Sequence, residues 1–249
     1  PAGSARMGKP MGHYITLESE KLKENDADCH EKLIGLLAEQ IRSLAKPKRE
    51  DCILVIGLGN WNITPDALGP KVISKILVTR HLSGTLPAEI EKAVRPVAAV
   101  SPGVMGITGI ETGEIVKGIV DKLHPSLLIA IDALAARRSN RINAAIQMSD
   151  TGVAPGAGVG NRRMLLDEAH LGIPVIAIGV PTVVDAATIA MELTGSDNAD
   201  TVLPQGRGMM VTPREIDLLI DRASRLVAMT INRMLQPEYS PLELIAIAV

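Results

Sequence analysis

Two aspartates occupy positions where carboxylates can do chemistry. Asp132 directly follows the apolar run LLIAI, and an ionised carboxylate at the end of a buried strand is costly unless it has a partner. Asp66 lies in the first turn of a predicted helix that begins at Thr64. If these two carboxylates share a water molecule, their mutual repulsion splits their pKa values, so that one acts as general base and the other as general acid. Such a pair hydrolyses an amide without a metal or a nucleophilic side chain.

Each of the acidic residues also has a structural interpretation. Asp132 can cap the loop after its strand, and the helix macrodipole stabilises an acid at Asp66 without any catalytic duty. Asp185 repeats the pattern of a threonine followed by an early acid at a third strand-to-helix junction, where capping is the simpler interpretation, so it is taken only as a supporting residue. Asp150 opens a DTG triplet like that of pepsin-like proteases. Those enzymes are all-β, and a three-residue match arises easily by chance.

Two glycine-rich segments could hold a phosphate at a helix N-terminus. The first, GLGN at 57–60, lacks the third glycine of the dinucleotide fingerprint, and no GKS or GKT follows it or the second, PGAGVGN at 155–161. Tight-turn geometry is therefore the preferred interpretation, although the second segment precedes two arginines and could line a cleft for an extended polar chain. Asn60 and Arg137 are predicted to support the site, Arg137 by holding an acid or by meeting substrate carbonyls.

Histidines and cysteines form no recognisable site. The five histidines are scattered, none beside a serine elbow and none paired at metal-ligand spacing. The two cysteines, Cys29 and Cys52, cannot build a disulfide scaffold or a four-ligand zinc site. We therefore expect no serine triad, no resident metal and no cofactor.

The elements that must position the aspartates follow from the apolar pattern. Short apolar runs predict buried strands at 52–56, 97–100, 127–131, 144–148 and 174–178. Helical spacing predicts helices at 33–46, 115–123 and 183–193, one that starts at Thr64 and one that starts at Thr212, with these threonines as N-caps.

Alternating strands and helices imply right-handed crossovers and a doubly wound, mainly parallel sheet with helices on both faces, an α/β fold. We expect a single domain at 27–249, a polar N-terminal arm at 1–26 and a flexible link around 194–208. Ligands of such sheets bind at the carboxyl ends of the strands. This rule predicts that Asp66 and Asp132 lie at the same edge of the sheet.

Composition narrows the class of protein and its partners. The 249 residues carry 26 Lys and Arg against 28 Asp and Glu, so bulk charge favours no nucleic acid partner. No apolar run reaches the roughly 18 residues that a membrane span requires, and we expect a cytoplasmic protein with no membrane partner. Because Phe is absent, the core is expected to be aliphatic.

Several longer motifs carry a resemblance to a known family. The chain resembles the bacterial spore germination proteases, endopeptidases that degrade small acid-soluble spore proteins. The similar stretches cover most of the chain and include IGLGNWNITPDALGP, RPVAAVSPGVMGITGIETGEI, IAIDALAARR, QMSDTGVAPGAGVGN, IPVIAIGVPTVVDA and MVTPREID.

The resemblance implies an atypical aspartic peptidase on a phosphorylase-like α/β fold that is shared with the hydrogenase maturation peptidases. It also implies synthesis as a zymogen, assembly as a homotetramer and location in the spore core. The two catalytic aspartates of the family map onto Asp66 in TPDALGP and Asp132 in IDALA, whereas Asp150 is not catalytic. The family carries a longer insertion before the MVTP segment, where this chain has only the polar link.

Two other functions stay open. In a metal-dependent maturation-type peptidase, Asp66, Asp132 and a third ligand would hold a divalent ion, although the histidine of the hydrogenase-type relatives is not found at the matching junction. A non-catalytic module that binds phosphate or a nucleotide through the glycine loops is the remaining alternative.

Overall fold

A seven-stranded mixed sheet forms the centre of the computed structural model, which describes residues 8–24, 26–85, 87, 94–156, 164–195 and 208–239. Its strands are β1 (Tyr14–Glu18), β2 (Ile53–Gly57), β3 (Val97–Val100), β4 (Leu127–Ala136), β5 (Ala145–Ser149), β6 (Val175–Asp185) and β7 (Met210–Val211). Their order across the sheet is β1-β5-β6-β4-β2-β3, and β7 pairs with β6.

The middle of the sheet is parallel and one side of it is antiparallel. β3, β2, β4 and β6 pair in parallel, whereas β5 pairs antiparallel with both β6 and β1. The predicted α/β fold with a mainly parallel core is therefore confirmed. The strand predicted at 144–148 exists, but its antiparallel direction was not predicted because a short apolar run does not encode strand direction.

Helices cover both faces of the sheet. They are α1 (Ala27–Ala45), α2 (Leu68–Ile73), α3 (Met105–Thr108), α4 (Thr112–Leu123), α5 (Glu168–Leu171), α6 (Ala186–Thr194) and α7 (Ile216–Leu235). Because side chains alternate along a strand, Ile53 and Val55 join the core that contains α1, α2 and α7, while Leu54 and Ile56 join the core that contains α4 and α5.

Part of the expected N-terminal arm is instead a strand of this sheet. β1 pairs along its whole length with β5, and Ile15 and Leu17 pack against the main core. The following 3₁₀-helix Glu20–Lys23 buries Leu22. A five-residue strand carries little periodicity, and its partner lies far along the chain, so local pattern did not predict it.

Two strands extend beyond the apolar runs that predicted them. β4 was expected to end at Ile131 and β6 at Ile178, but the two strands pair with each other from Asp132↔Gly179 as far as Ala136↔Val184. Mutual pairing satisfies the backbone of these less apolar residues, so the strands continue. The helix predicted at 183–193 consequently begins only at Ala186.

The two threonines predicted as helix N-caps do not cap. Thr64 is the first residue of the 3₁₀-helix Thr64–Asp66, and Ile63 occupies the cap position. The Thr212 hydroxyl donates to the carbonyl oxygen of Thr182 at 2.9 Å, so a strand carbonyl takes the hydroxyl that was expected to cap. α7 begins four residues later, after Glu215.

Residues 196–207 of the predicted link lie outside the described residues. Among the helices that the structure describes, none combines the length and the apolarity needed to cross a bilayer.

Candidate active site

Asp132 stands at the point where β4 loses its partner β2. The last pair of the β2 ladder is Gly57↔Ile131, and the Leu58 N–H donates to the Ile131 carbonyl oxygen at 2.8 Å. Asp132 is the next residue of β4, and it is only 8% exposed. The N–H of Ala133 donates to Asp132 Oδ1 at 2.9 Å, so the strand's own backbone helps to orient the carboxylate.

Asp66 is held by the loop that follows β2. The backbone N–H of Asn60 donates to Asp66 Oδ2 at 2.8 Å. Gly59 adopts φ +113°, and a Cβ at this position would lie 2.0 Å from the Asp66 carbonyl oxygen. Only glycine tolerates both this dihedral angle and this contact. The GLGN sequence is therefore explained by the turn that brings the chain back onto Asp66.

Both aspartates line one cleft of about 710 Å³ at the carboxyl end of β2. The other polar side chains of the cleft belong to Lys9, Arg137, Gln147, Thr112 and Thr182, and its larger apolar ones to Leu58, Ile63, Val104, Leu134, Val153, Val183 and Met210. A concave site of this size that is mainly apolar, with a few convergent polar groups, is typical of ligand and substrate sites. Asp66 and Asp132, which were predicted to lie at the same edge of the sheet, therefore line the same cleft.

The predicted supporting residues have different positions. Arg137 lines the cleft, and Asn60 contributes its backbone N–H to Asp66, while its side-chain oxygen accepts from the Asn62 N–H at 3.0 Å. Asp185 is not among the residues that line the cleft. It is the N-cap of α6, where its carboxylate accepts from the Ala187 N–H at 2.7 Å.

Asp150 of the DTG triplet anchors the start of β1. Its two carboxylate oxygens contact the backbone N–H and the Nδ1 of His13, each at 2.7 Å. Partial burial raises the pKa of Asp150, but the hydrogen bonds and the charge of His13 outweigh this effect and hold the pKa below its usual value. Asp150 is not among the residues that line the cleft.

Close backbone packing explains further glycines near the site. A Cβ on Gly57 would lie 2.3 Å from the Gly69 carbonyl oxygen, and one on Gly69 would lie 2.2 Å from the Leu58 carbonyl oxygen. These glycines let α2 approach the end of β2. In the second glycine-rich segment, residues 157–161 and the two arginines that follow lie outside the described residues.

Sequence analysis missed four polar residues of the cleft, namely Lys9, Thr112, Gln147 and Thr182. Lys9 belongs to the segment that was expected to be an arm. Gln147 pairs with Gly179, and Gly179 pairs with Asp132, so Gln147 and Asp132 share one face of the sheet on either side of a glycine. A single glutamine within the apolar run AAIQM was the available signal for Gln147. Thr182 is 1% exposed and lies at the irregularity where β6 gains a residue over β4, a position that no local pattern reveals.

The described residues contain no group of three or more His, Cys, Asp or Glu side chains placed to hold a metal ion. Two of the histidines instead contact single carboxylates. His13 contacts Asp150, and the Nδ1 of His170 lies 2.6 Å from Asp167 Oδ1.

Comparison with known proteins places this chain in a family. A family model described as germination protease matches residues 1–203 of the chain. The chain belongs to the germination protease family. This membership confirms the expected relationship, and the family is one of proteases that act in spore germination.

Curated germination proteases are similar over most of the chain. The protein of Caldanaerobacter subterraneus subsp. tengcongensis is 47% identical over 264 residues, which cover 94% of this chain and 82% of the relative. The germination protease of Bacillus subtilis is 51% identical over 212 residues, covering 83% of this chain and 56% of the relative. Among solved structures, a [NiFe] hydrogenase maturation protease, HycI, from Thermococcus kodakarensis KOD1 aligns with a TM-score of 0.45 and 18% identity, covering 79% of this chain and 98% of that one.

Proposed function

We propose that this germination protease is an aspartic-type endopeptidase that hydrolyses small acid-soluble spore proteins, with Asp66 and Asp132 as its catalytic residues. The observation that carries the proposal is that the two carboxylates line the same cleft, one from the loop after β2 and one from the neighbouring strand β4. The resemblance to the family motifs independently selects the same two residues.

The proposed reaction needs one proton distributed over two carboxyl groups. The ionised carboxylate takes a proton from water, and the water oxygen attacks the scissile carbonyl carbon. The protonated carboxyl group donates its proton to the substrate as the tetrahedral intermediate forms, and the C–N bond breaks when the leaving nitrogen is protonated. Two carboxyl groups in one site cannot both ionise freely, because their negative charges repel each other. One therefore stays protonated, and either aspartate can take either role in this scheme.

The surroundings support such chemistry. Backbone N–H groups of Asn60 and Ala133 contact one oxygen of Asp66 and of Asp132, respectively, and these contacts restrict the orientation of the carboxylates. Pre-organised groups contribute to catalysis because they need not reorganise during the reaction. Arg137, which lines the cleft, supplies donors for substrate carbonyls.

The wider properties implied by the family resemblance belong to the same proposal. They are synthesis as a zymogen, assembly as a homotetramer and action in the spore core. Light scattering on the purified protein measures the assembly directly, and a monomer at working concentration would contradict the homotetramer.

Substitution of each aspartate by asparagine tests the catalytic pair. We expect Asp66→Asn and Asp132→Asn each to lower kcat on a purified small acid-soluble spore protein by about 10²-fold to 10⁴-fold, the usual contribution of a positioned acid or base. The matched control is Asp121→Asn on α4, because Asp121 is exposed, forms an ion pair with Lys117 of the same helix and is not among the residues that line the cleft. Cleavage is followed by mass spectrometry, and circular dichroism verifies that each variant is folded.

Two results would contradict this proposal. One is a folded Asp132→Asn variant that cleaves at the rate of the Asp121→Asn control. The other is loss of wild-type activity on treatment with a chelator and its recovery with a divalent cation, which would favour the metal-dependent alternative.

A further inference from the structure

One edge of β4 carries no strand partner where it borders the cleft. The β2 ladder ends at Gly57↔Ile131, but β4 continues to Ala136, paired with β6 on its other side. Within the part of the chain that the structure describes, no strand pairs with the β2 side of β4 beyond Ile131. Exposed edges of this kind are templates for pairing with another chain.

The direction of the backbone groups along this edge follows from one hydrogen bond. The Ile131 carbonyl oxygen accepts from the Leu58 N–H, so Ile131 presents its polar backbone groups on the β2 side. Successive residues of a pleated strand present these groups to opposite neighbours. Ala133 and Ala135 therefore direct theirs to the same side as Ile131, and Ala135 is exposed.

The segment that follows β2 also lines the cleft. Gly59, Ile63, Pro65 and Asp66 belong to this segment, and residues 132–135 of β4 line the cleft with them. Four residues of strand span about 13 Å at 3.3 Å per residue. The cleft is thus lined both by this strand edge, which begins at Asp132, and by Asp66.

We propose that the substrate polypeptide binds in this cleft as an extended segment that adds to the free edge of β4, in the place that β2 vacates. Main-chain hydrogen bonds to the Ala133 carbonyl oxygen and to the N–H and carbonyl oxygen of Ala135 would hold the segment, since the Ala133 N–H already contacts Asp132 Oδ1. The scissile bond would lie between Asp132 and Asp66. Strand addition draws affinity from main-chain hydrogen bonds, which any polypeptide sequence can make. The inference rests on the proposed protease function and specifies how the substrate is bound.

An N-methyl scan of a substrate peptide tests the added strand. The parent is a synthetic peptide that spans a cleavage site mapped by mass spectrometry in a small acid-soluble spore protein, and each variant carries one N-methylated amide. Only alternate residues of an added strand face β4, so we expect kcat/KM to fall at least about tenfold at every second position, because one hydrogen bond is lost and a methyl group is forced against the edge. Equal tolerance at all positions, or losses that run through consecutive positions, would overturn the inference.

A pair of protein variants probes the same edge from the other side. Ala135→Pro removes the backbone N–H at the free edge, where proline is compatible with a strand, whereas Ala135→Val adds bulk but keeps the N–H. We expect kcat/KM of the proline variant to be at least about fivefold below that of the valine variant, mainly through KM. Equal values in two folded variants would contradict a hydrogen bond from Ala135 to the substrate.

The two proposals fail in different ways. The scan is measured on cleavage by the wild-type protein, so an alternating pattern supports strand addition even if Asp132→Asn remains active. Conversely, the Asp66 and Asp132 variants could be inactive while every N-methylated peptide is cleaved equally well. That result would support the catalytic pair and contradict the added strand.

Discussion

Main-chain contacts help to orient the two aspartates of the candidate site. A backbone N–H contacts each carboxylate, and the positive φ of Gly59 creates the turn that makes the contact with Asp66 possible. By contrast, Asp150 faces a histidine and lies outside the cleft. At the scale of single residues, surroundings therefore separate three aspartates that look alike in a sequence.

Asp150→Asn is expected to lower stability without lowering kcat. Because His13 holds the pKa of Asp150 below its usual value, the charged carboxylate favours the folded state above the unfolded pKa of about 3.9. The side chain is 30% exposed, and we expect the variant to lose about 1 kcal/mol of unfolding free energy at pH 7.

The sign of the pH dependence follows from the lowered pKa. Stability from Asp150 is lost as pH falls through the folded-state pKa, so the difference between wild type and Asp150→Asn should shrink below about pH 4. Urea unfolding from pH 7 to pH 3 measures this difference. A difference that grows toward acid pH would contradict the assignment.

Contact between elements decides where the Asp66 loop lies. β2 and α2 approach so closely at Gly57 and Gly69 that their backbones meet without any side chain between them. The loop at 58–67 links these two elements, so their packing fixes its ends. Gly57 and Gly69 therefore help to position the loop that carries Asp66.

Gly69→Ala and Gly118→Ala should change stability in opposite directions. The new Cβ at 69 would lie 2.5 Å or less from backbone atoms of Leu58, and we expect a loss of at least about 2 kcal/mol of unfolding free energy. Gly118 lies within α4, where no atom stands within 4 Å of the new Cβ, so alanine should gain about 0.5 to 1 kcal/mol. Thermal unfolding measures both, and destabilisation of equal size would contradict the packing argument.

At the scale of the whole molecule, buried polar side chains attach α7 to the rest of the fold. Asn232 is 1% exposed; it accepts from the Leu77 N–H at 2.9 Å and donates to the Lys75 carbonyl oxygen at 3.0 Å. Gln236 exchanges hydrogen bonds with the backbone of Arg95, at 3.0 and 2.8 Å. α7 and its C-cap residue Gln236 thereby complete backbone pairing near the β3 edge.

Asn232→Ala should strongly destabilise the protein. It leaves the Leu77 N–H and the Lys75 carbonyl without the Asn232 partner inside the fold, which we expect to cost about 3 kcal/mol of unfolding free energy. Asn140→Ala is the matched control, since the Asn140 side chain is exposed and its loss should stay within about 0.5 kcal/mol. Urea unfolding at pH 7 compares them, and equal effects would contradict the structural role of Asn232.

Much of the architecture could be predicted because it depends on near neighbours in the chain. Buried parallel strands are continuous apolar runs, and amphipathic helices show their own spacing. The runs at 97–100 and 127–131 therefore marked β3 and the start of β4, and the rule that ligands bind at the carboxyl ends of strands selected Asp66 and Asp132. The family motifs added the protease class, which the comparisons confirm.

The sequence by itself thus determined the α/β class, the order of the central elements along the chain and the candidate pair of aspartates. Each of these depends on patterns among residues that are a few positions apart. Only the tertiary structure decided that β1 joins β5, that β4 and β6 continue past the end of β2, and that Lys9 and Gln147 reach the cleft. Each of these features depends on contacts between segments that are distant in the chain. These contacts form because they lower the free energy of the assembled sheet, and local sequence patterns do not predict them.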